Sequence, residues 1–245
     1  MAYQDRLSPA FEARRLGALD RYEILDTPRE RDFDEMAELA AAICEVPIAA
    51  VNLISSDRQF FKAEVGLGVR ETPLDSSFCA QAILEEDFLV VPDAAQDARF
   101  NCNPLVTGQP HLRFYAGALL KTADGLPIGT LCVLDYKPRT LTALQEKALR
   151  LLARQVMNQL ELRLSLGVQK EEIAQKDKAY ALDDSRYRLL VNSITDYAVY
   201  VLDPSGVVSS WNPGARRFKG YEASEIIGKN FSTFYPPEDQ AAGLP

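Results

Sequence analysis

Hydrophobic positions along this chain fall mostly into short, nearly continuous runs before residue 140, into helical spacing from 142 to 180, and into short runs again after Tyr187. The densest run covers residues 113–136, RFYAGALLKTADGLPIGTLCVLDY, with two apolar segments around Asp124-Gly125. Asp-Gly between apolar runs signals a β-hairpin, because its turn needs positive φ. Both segments are apolar at odd positions (Tyr115, Leu119, Leu131, Val133) and at even ones (Phe114, Leu120, Ile128, Leu134). Strands without alternation are covered on both faces, so the hairpin is expected mid-sheet beneath helices. Gly117 and Gly129 interrupt it, as glycine does where backbone or ligand approaches closely. Upstream, Thr27-Pro28-Arg29-Glu30 reads as a capping box that opens a helix. Phe33, Met36, Ala37, Ala40, Ile43 and Cys44 share one face of that helix, and Pro47 stops it. Strands are expected at residues 48–54, 58–65 and 88–91, with a loop at 66–75. A short helix capped by Ser76 or Ser77 should cover 79–84. Residues 92–110 are long and irregular, a pattern associated with function or disorder.

Thr142-Ala143-Leu144-Gln145 is a second capping box. Beyond it Ala148, Leu152, Gln155, Gln159, Leu162, Leu166, Gln169, Ile173, Lys176 and Tyr180 recur at spacings of four and three. This heptad register describes either a polar-rich parallel coiled coil or an amphipathic helix with a solvated second half. The coiled coil is the preferred reading, with the homodimer formed through the helix from Thr142 to Tyr180. Residues 169–184 are almost all polar and read as linker. Apolar content returns at Tyr187, with short strands expected at 198–202 and 207–211 about Asp203-Pro204-Ser205-Gly206. The pattern then stops at Pro245, which reads as mid-domain; about 60 residues is a marginal size for independent folding. The domain division is therefore 1–165, a helical linker at 166–185, and 186–245, in the α+β class.

Composition narrows the function. The 245-residue chain carries a formal charge of −8, against a nucleic-acid surface, which needs a basic face. There is no apolar run of about 18 residues to span a membrane, and the charged start of the chain does not read as a signal peptide. Cys44, Cys79, Cys102 and Cys132 form no CxxC pair, which points to a reducing, cytoplasmic setting without disulfides or zinc.

Several residues have chemistry worth weighing. Cys79, in the first turn of its helix, is either an activated thiolate or a small apolar residue packed under the sheet. Asp93, Asp97, Arg99, Phe100 and Asn103, with Arg113 at the far end of the loop, could orient a small polar ligand or simply cap turns and pair with one another. In DRQFFK, Phe60 and Phe61 lie on opposite faces of a strand, and either reads more readily as core than as a ligand stack. The candidate pocket comprises Phe60, Phe78, Cys79, Asp93, Asp97, Phe100, Asn103, Arg113 and Tyr115. No catalytic group and no metal site is assigned.

The ordered segments ILDTP, PIAAVNLISSDRQFFKAEVGL, SFCAQAI, LVVPDAAQDARFNCNPLVTG and DGLPIGTLCVLD resemble the GAF domains of bacterial sensor proteins, over residues 18–163. The segment from SITDYAVYVLD to YPPED resembles the first half of a PAS domain, over residues 186–239, with the family's remaining three strands missing. The resemblance implies a sensory input module, most readily of a histidine kinase or a cyclic-dinucleotide enzyme, with an unknown small-molecule ligand. Neither a phosphoacceptor helix nor an ATP lid is present, so any kinase lies outside this chain. Relatives that attach a bilin use Cys followed by His, whereas Ala80 follows Cys79. The Asn-Lys-Phe-Asp-Glu set of cyclic-nucleotide-binding relatives is absent. GAF-type reduction of free methionine sulfoxide would need two thiols within reach, for which Cys79 and Cys102 are the candidates. Flavin photochemistry in the PAS-like part would need a cysteine near GKNFSTFY, and haem ligation a histidine. Neither is there, and no cofactor is assigned. A non-catalytic dimerisation scaffold is the competing reading.

Overall fold

The computed structural model describes residues 8–242, which divide into two compact units, one ending at Val168 and the other starting at Gln169. The first unit contains helices α1 (Pro9–Asp20) and α2 (Arg31–Cys44), then strands β1 (Ile48–Ile54), β2 (Arg58–Val65) and β3 (Glu71–Pro73). Helix α3 (Phe78–Ala82), β4 (Phe88–Val91), the single turn α4 (Pro104–Thr107), β5 (Phe114–Lys121) and β6 (Pro127–Asp135) follow. Helix α5 (Ala143–Ser193) continues past the end of the unit. The six strands form one antiparallel sheet in the order β3-β2-β1-β6-β5-β4.

The sheet is covered on both faces, as its lack of alternation predicts. One face buries Phe114, Ala116, Leu120, Leu131 and Val133 against α2 and the first turns of α5; the other buries Tyr115, Leu119, Cys132 and Leu134 against α3 and the loop before β5. Register decides how the two parities combine across the hairpin. Tyr115 pairs with Leu134 and Ala116 with Val133, so odd positions of β5 share a face with even positions of β6. A bulge at Leu120/Lys121 leaves Ile128 as the extra residue on the α2 side.

Two local readings are corrected. Helix α2 starts at Arg31, after a Glu30 cap without a side-chain bond. Thr27 and Glu30 instead serve the fully buried Lys62 of β2. Its ammonium donates to Thr27 Oγ1 at 2.8 Å, to Pro28 O at 2.6 Å and to Glu30 Oε1 at 2.6 Å. A buried cation needs all of these partners, and that need overrides capping. Within the expected 66–75 loop, Glu71–Pro73 pairs as the edge strand β3, and Leu74–Ser76 forms a tight helical turn. Three residues are too few to show a period.

Helix α5 opens on the expected capping box, with Thr142 Oγ1 accepting from Gln145 N and Gln145 Oε1 from Thr142 N. Leu149, Ala153, Val156, Met157 and Leu160 face its own sheet. The first heptad residues stay with the sheet unit, Leu152 packing on its core and Gln159 donating to Asp32, whereas Leu162, Leu166, Ile173 and Tyr180 are exposed and the spacing continues through exposed Tyr187 and Leu190.

In the second unit β7 (Tyr200–Leu202) pairs with β8 (Val208–Trp211), followed by α6 (Pro213–Lys219), α7 (Ala223–Ile226) and α8 (Pro237–Ala241). Asn212 ties this unit together. Its Oδ1 accepts from Ala215 N at 2.7 Å, and its Nδ2 donates to Ile194 O at 2.8 Å and Tyr197 O at 3.0 Å. Tyr200, Trp211 and Phe234 gather into an aromatic cluster over Val208, Ala215 and Ile226.

Candidate functional site

On the α3 face of the first unit lies a cavity of about 270 Å³. Its walls come from β1 (Ile48), β2 (Gln59, Phe61), β6 (Cys132, Leu134), α3 (Phe78) and the loop residues Leu105 and Leu112. Val69 and Tyr136, each 44% exposed, stand on its rim. No charged side chain lines it among the described residues. Its polar groups are uncharged: Gln59, Thr72, Ser76, Ser77 and Cys132. The Ser77 hydroxyl caps α3 by accepting from Ala80 N and also donates to Gln59 Oε1, which fixes the amide against the cavity wall.

Beneath the cavity is a buried polar cluster. Cys79 Sγ lies 3.6 Å from Cys132 Sγ. The Tyr115 hydroxyl donates to Cys79 Sγ at 3.4 Å; Asn52 Nδ2 donates to Cys79 Sγ at 3.2 Å and to Thr130 Oγ1 at 2.8 Å. Sheet register places these groups together, since Asn52 opposes Thr130 and Gly117 opposes Cys132. Gly117 is required here: a Cβ at that position would lie 2.2 Å from Tyr115 Oη, because the tyrosine ring folds back over the glycine. Gly129 has a different cause, as its Cβ would meet Asn52 O at 2.0 Å. Asn52 Oδ1 is buried with no hydrogen-bond partner among the described residues.

Burial opposes ionisation of Cys79, but hydrogen bonds from Cys132, Thr130, Tyr115 and Asn52 outweigh it and draw its pKa down. The contact with Cys79, reinforced by burial, pushes the Cys132 thiol well up. Burial and the neighbouring sulfurs likewise raise the Tyr115 hydroxyl well above 10.0. Opposite shifts in two touching thiols mean that they titrate as a pair.

The expected site residues divide into three groups. Phe78, Cys79, Phe100 and Tyr115 come together: Phe78 stacks on Phe100 at 4.3 Å and on Tyr115 at 5.5 Å. Asp93, Asp97, Asn103 and Arg113 serve the loop itself. Asp93 accepts from Ala95 N and Gln96 Nε2, and Asp97 is paired with Arg99. Asn103 caps α4 and donates to Ser76 O, while Arg113 donates to the carbonyls of Val106 and Leu112. Phe60 sits on the opposite face of the sheet, beneath Arg70. Cys102 is exposed, and the thiol beside Cys79 is Cys132. Sequence reasoning missed Gln59, Cys132 and Asn52. The signal for Gln59 was a buried-strand position carrying an amide; nothing local marked Cys132.

The family model for the GAF domain matches residues 28–164. The chain belongs to the GAF family. A model for the PAS fold matches residues 185–244, so a PAS segment follows the GAF domain. Among curated proteins, a cyclic di-GMP phosphodiesterase of Pseudomonas aeruginosa is 43% identical over 131 residues, 54% of this chain and 22% of that protein. Two-component system protein A of Emericella nidulans is 45% identical over 74 residues, 30% of this chain and 11% of that protein. The chain thus spans a small part of these relatives. Among solved structures, the GAF domain of an Acinetobacter phosphoenolpyruvate-protein phosphotransferase has a TM-score of 0.46 at 17% identity, covering 63% of this chain and 95% of that one. A domain of a putative two-component sensor histidine kinase from Sinorhizobium meliloti has a TM-score of 0.46 at 15% identity, covering 59% and 99%. Among the described residues no helix is long and apolar enough to cross a membrane.

Proposed function

We propose that this chain is the cytoplasmic input module of a two-component sensor histidine kinase. In this reading a GAF domain at 1–165 binds a small ligand, and a helical linker at 166–185 relays the signal from it toward the PAS segment at 186–245. The observation that carries the ligand assignment is the partly polar cavity without charged walls. Its size is just under the roughly 300–1,000 Å³ usual for small-molecule sites. An ionised ligand would lose hydration there without gaining a counter-charge, so the ligand is small, neutral and largely apolar, with one polar end for Gln59 and Ser77. Of the expected site residues only Phe78 lines that cavity, and Phe100 and Tyr115 stack against Phe78 behind the wall. A pure scaffold would fill this space with its own side chains.

The output is transmitted by a homodimer through the exposed heptad face of α5. A parallel pair would bury Leu162, Leu166, Ile173 and Tyr180, now solvated. The phosphodiesterase relative supports a second output, cyclic-dinucleotide turnover, fed by the same input. Native mass spectrometry of the purified chain tests ligand and dimer together. The expected result is a dimer that releases a small neutral molecule on unfolding, and loss of that molecule in Val69→Trp, which narrows the cavity mouth. An empty cavity that binds no compound from a neutral small-molecule library, in a chain that is dimeric, would establish the scaffold instead.

A further inference from the structure

Two sulfurs that no part of the sensory reading uses lie in contact beneath the cavity. Cys79 and Cys132 are 3% and 1% exposed, yet Cys132 also lines the cavity wall. We propose that this pair is an oxidisable dithiol that small, uncharged hydroperoxides convert to a disulfide, with Cys132 oxidised first and Cys79 as the resolving thiol.

The geometry supports each step. The cavity is the approach to the pair, and its uncharged lining admits hydrogen peroxide or a small alkyl hydroperoxide. In the first step a Cys132 sulfur electron pair attacks the distal peroxide oxygen. The O–O bond breaks, the alkoxide or hydroxide leaves with the thiol proton as alcohol or water, and Cys132 becomes a sulfenic acid. In the second step the Cys79 sulfur attacks the Cys132 sulfur, the S–O bond breaks, and hydroxide leaves with the Cys79 proton as water. The sum is two thiols plus one hydroperoxide giving a disulfide, an alcohol or water, and a further water. Cys132 lines the cavity and Cys79 does not, so Cys132 meets the peroxide, and the contact at 3.6 Å lets Cys79 relay the Cys132 proton toward the leaving oxygen. Asn52 contributes a second, independent feature. Its Nδ2 already touches the sulfurs, and its Oδ1 is a buried acceptor without a donor. A sulfenic O–H would supply that missing donor. Closing the pair to about 2.05 Å draws α3 toward β6 and moves Phe78, the neighbour of Cys79, along the cavity wall.

The test uses the full chain carrying Cys102→Ala, which removes the exposed thiol and leaves Cys44, Cys79 and Cys132. After reduction and treatment with hydrogen peroxide, thiols are counted in denaturant and the bridge is mapped on peptides. The expected result is a fall from three thiols to one, with a Cys79–Cys132 bridge reversed by a dithiol reductant. In Cys79→Ala, Cys132 should be trapped as a sulfenic acid by a carbon nucleophile; in Cys132→Ala, loss of the Cys79 thiol should slow on the order of tenfold. Three thiols persisting in the Cys102→Ala chain, under peroxide that oxidises Cys102 in the unmodified chain, would overturn the proposal. A bridge to Cys44 instead would do the same. Neither outcome requires a variant of a core cysteine, and neither depends on whether the cavity takes a ligand.

Discussion

Gly117→Ala is the sharpest test of the packing beneath the cavity. A Cβ there would lie 2.2 Å from Tyr115 Oη, 2.8 Å from Cζ and 3.1 Å from Cε1. Those distances are far inside van der Waals contact, and Tyr115, fully buried between Phe78 and the sulfurs, cannot rotate away freely. Overpacking costs about 1–3 kcal/mol, and a displaced hydroxyl loses its bond to Cys79, about 0.5–1.5 kcal/mol. Alanine returns about 0.5–1 kcal/mol through lower chain entropy in a strand. The net expectation is destabilisation of about 2 kcal/mol. Tyr115→Phe removes the atom that clashes worst, so the alanine should cost about 1 kcal/mol less in that background, a non-additivity typical of touching residues. Urea unfolding followed by circular dichroism measures all four corners of the cycle. Trp211, the single tryptophan, lies in the second unit, so its fluorescence transition serves as an internal reference. Gly117→Ala as stable as the parent, or strictly additive with Tyr115→Phe, would refute the argument that the glycine exists to seat the tyrosine.

Burial pushes the Cys44 thiol up to about 11, so iodoacetamide near pH 8 should label exposed Cys102 while Cys44 stays unmodified in the folded chain, read by peptide mass. Asp97 is held below 3.8, chiefly by hydrogen bonds from Arg99. Between that lowered value and 3.8 the unfolded chain binds more protons, so the stabilisation, complete above 3.8, disappears as pH falls through this window. Asp97→Asn should flatten that part of the acid-unfolding curve. Leu166→Asp with Ile173→Asp places charge on the exposed heptad face and should shift the chain toward monomer in sedimentation, leaving the GAF core's melting unchanged. One residue inserted near Gln169 rotates every later heptad position by about 100°, and should abolish output in a parent protein that carries the kinase.

How much of this was legible in the sequence depended on how local each signal was. The strands at 48–54 and 58–65 were readable from runs of Val, Ile, Leu and Phe, and the start of α5 from Thr142 and Gln145, because each interaction closes within a few residues. Thr27 and Glu30 carried the same local signal as Thr142 and Gln145. They were claimed by Lys62, more than thirty residues away, whose burial no window reveals. Which residues of the hairpin share a face was not legible, because parity within a strand is local while register between strands is not. The same gap hid the sulfur pair: Cys79 was noticed for its helix turn, but its partner Cys132 is delivered by strand pairing. Asp93 and Asp97 looked like ligand groups and are spent on the turns of their own loop, a use that Asx geometry makes common.

Strand β2 offers a physical route from cavity to helix. Gln59 and Phe61 border the cavity while Phe60 enters the core on the opposite face, and Lys62, the extra residue at a bulge in β2, turns to that same side toward Phe33 and Glu30. Lys62 is bonded to Glu30, and the same Glu30 oxygen accepts from Arg163 of α5 at 2.6 Å. Burial lowers the Lys62 pKa, and Glu30 is the partner that opposes this loss of charge. Breaking the Lys62–Glu30 contact therefore leaves a buried ammonium poorly compensated, which is strongly unfavourable. A shift of β2 that moves Phe61 must either carry Glu30 with it or incur that penalty. Moving Glu30 pulls on Arg163, one residue past Leu162, where the exposed heptad stripe begins. A ligand that favours one position of β2 over another would therefore act on Arg163 through the Lys62–Glu30–Arg163 contacts.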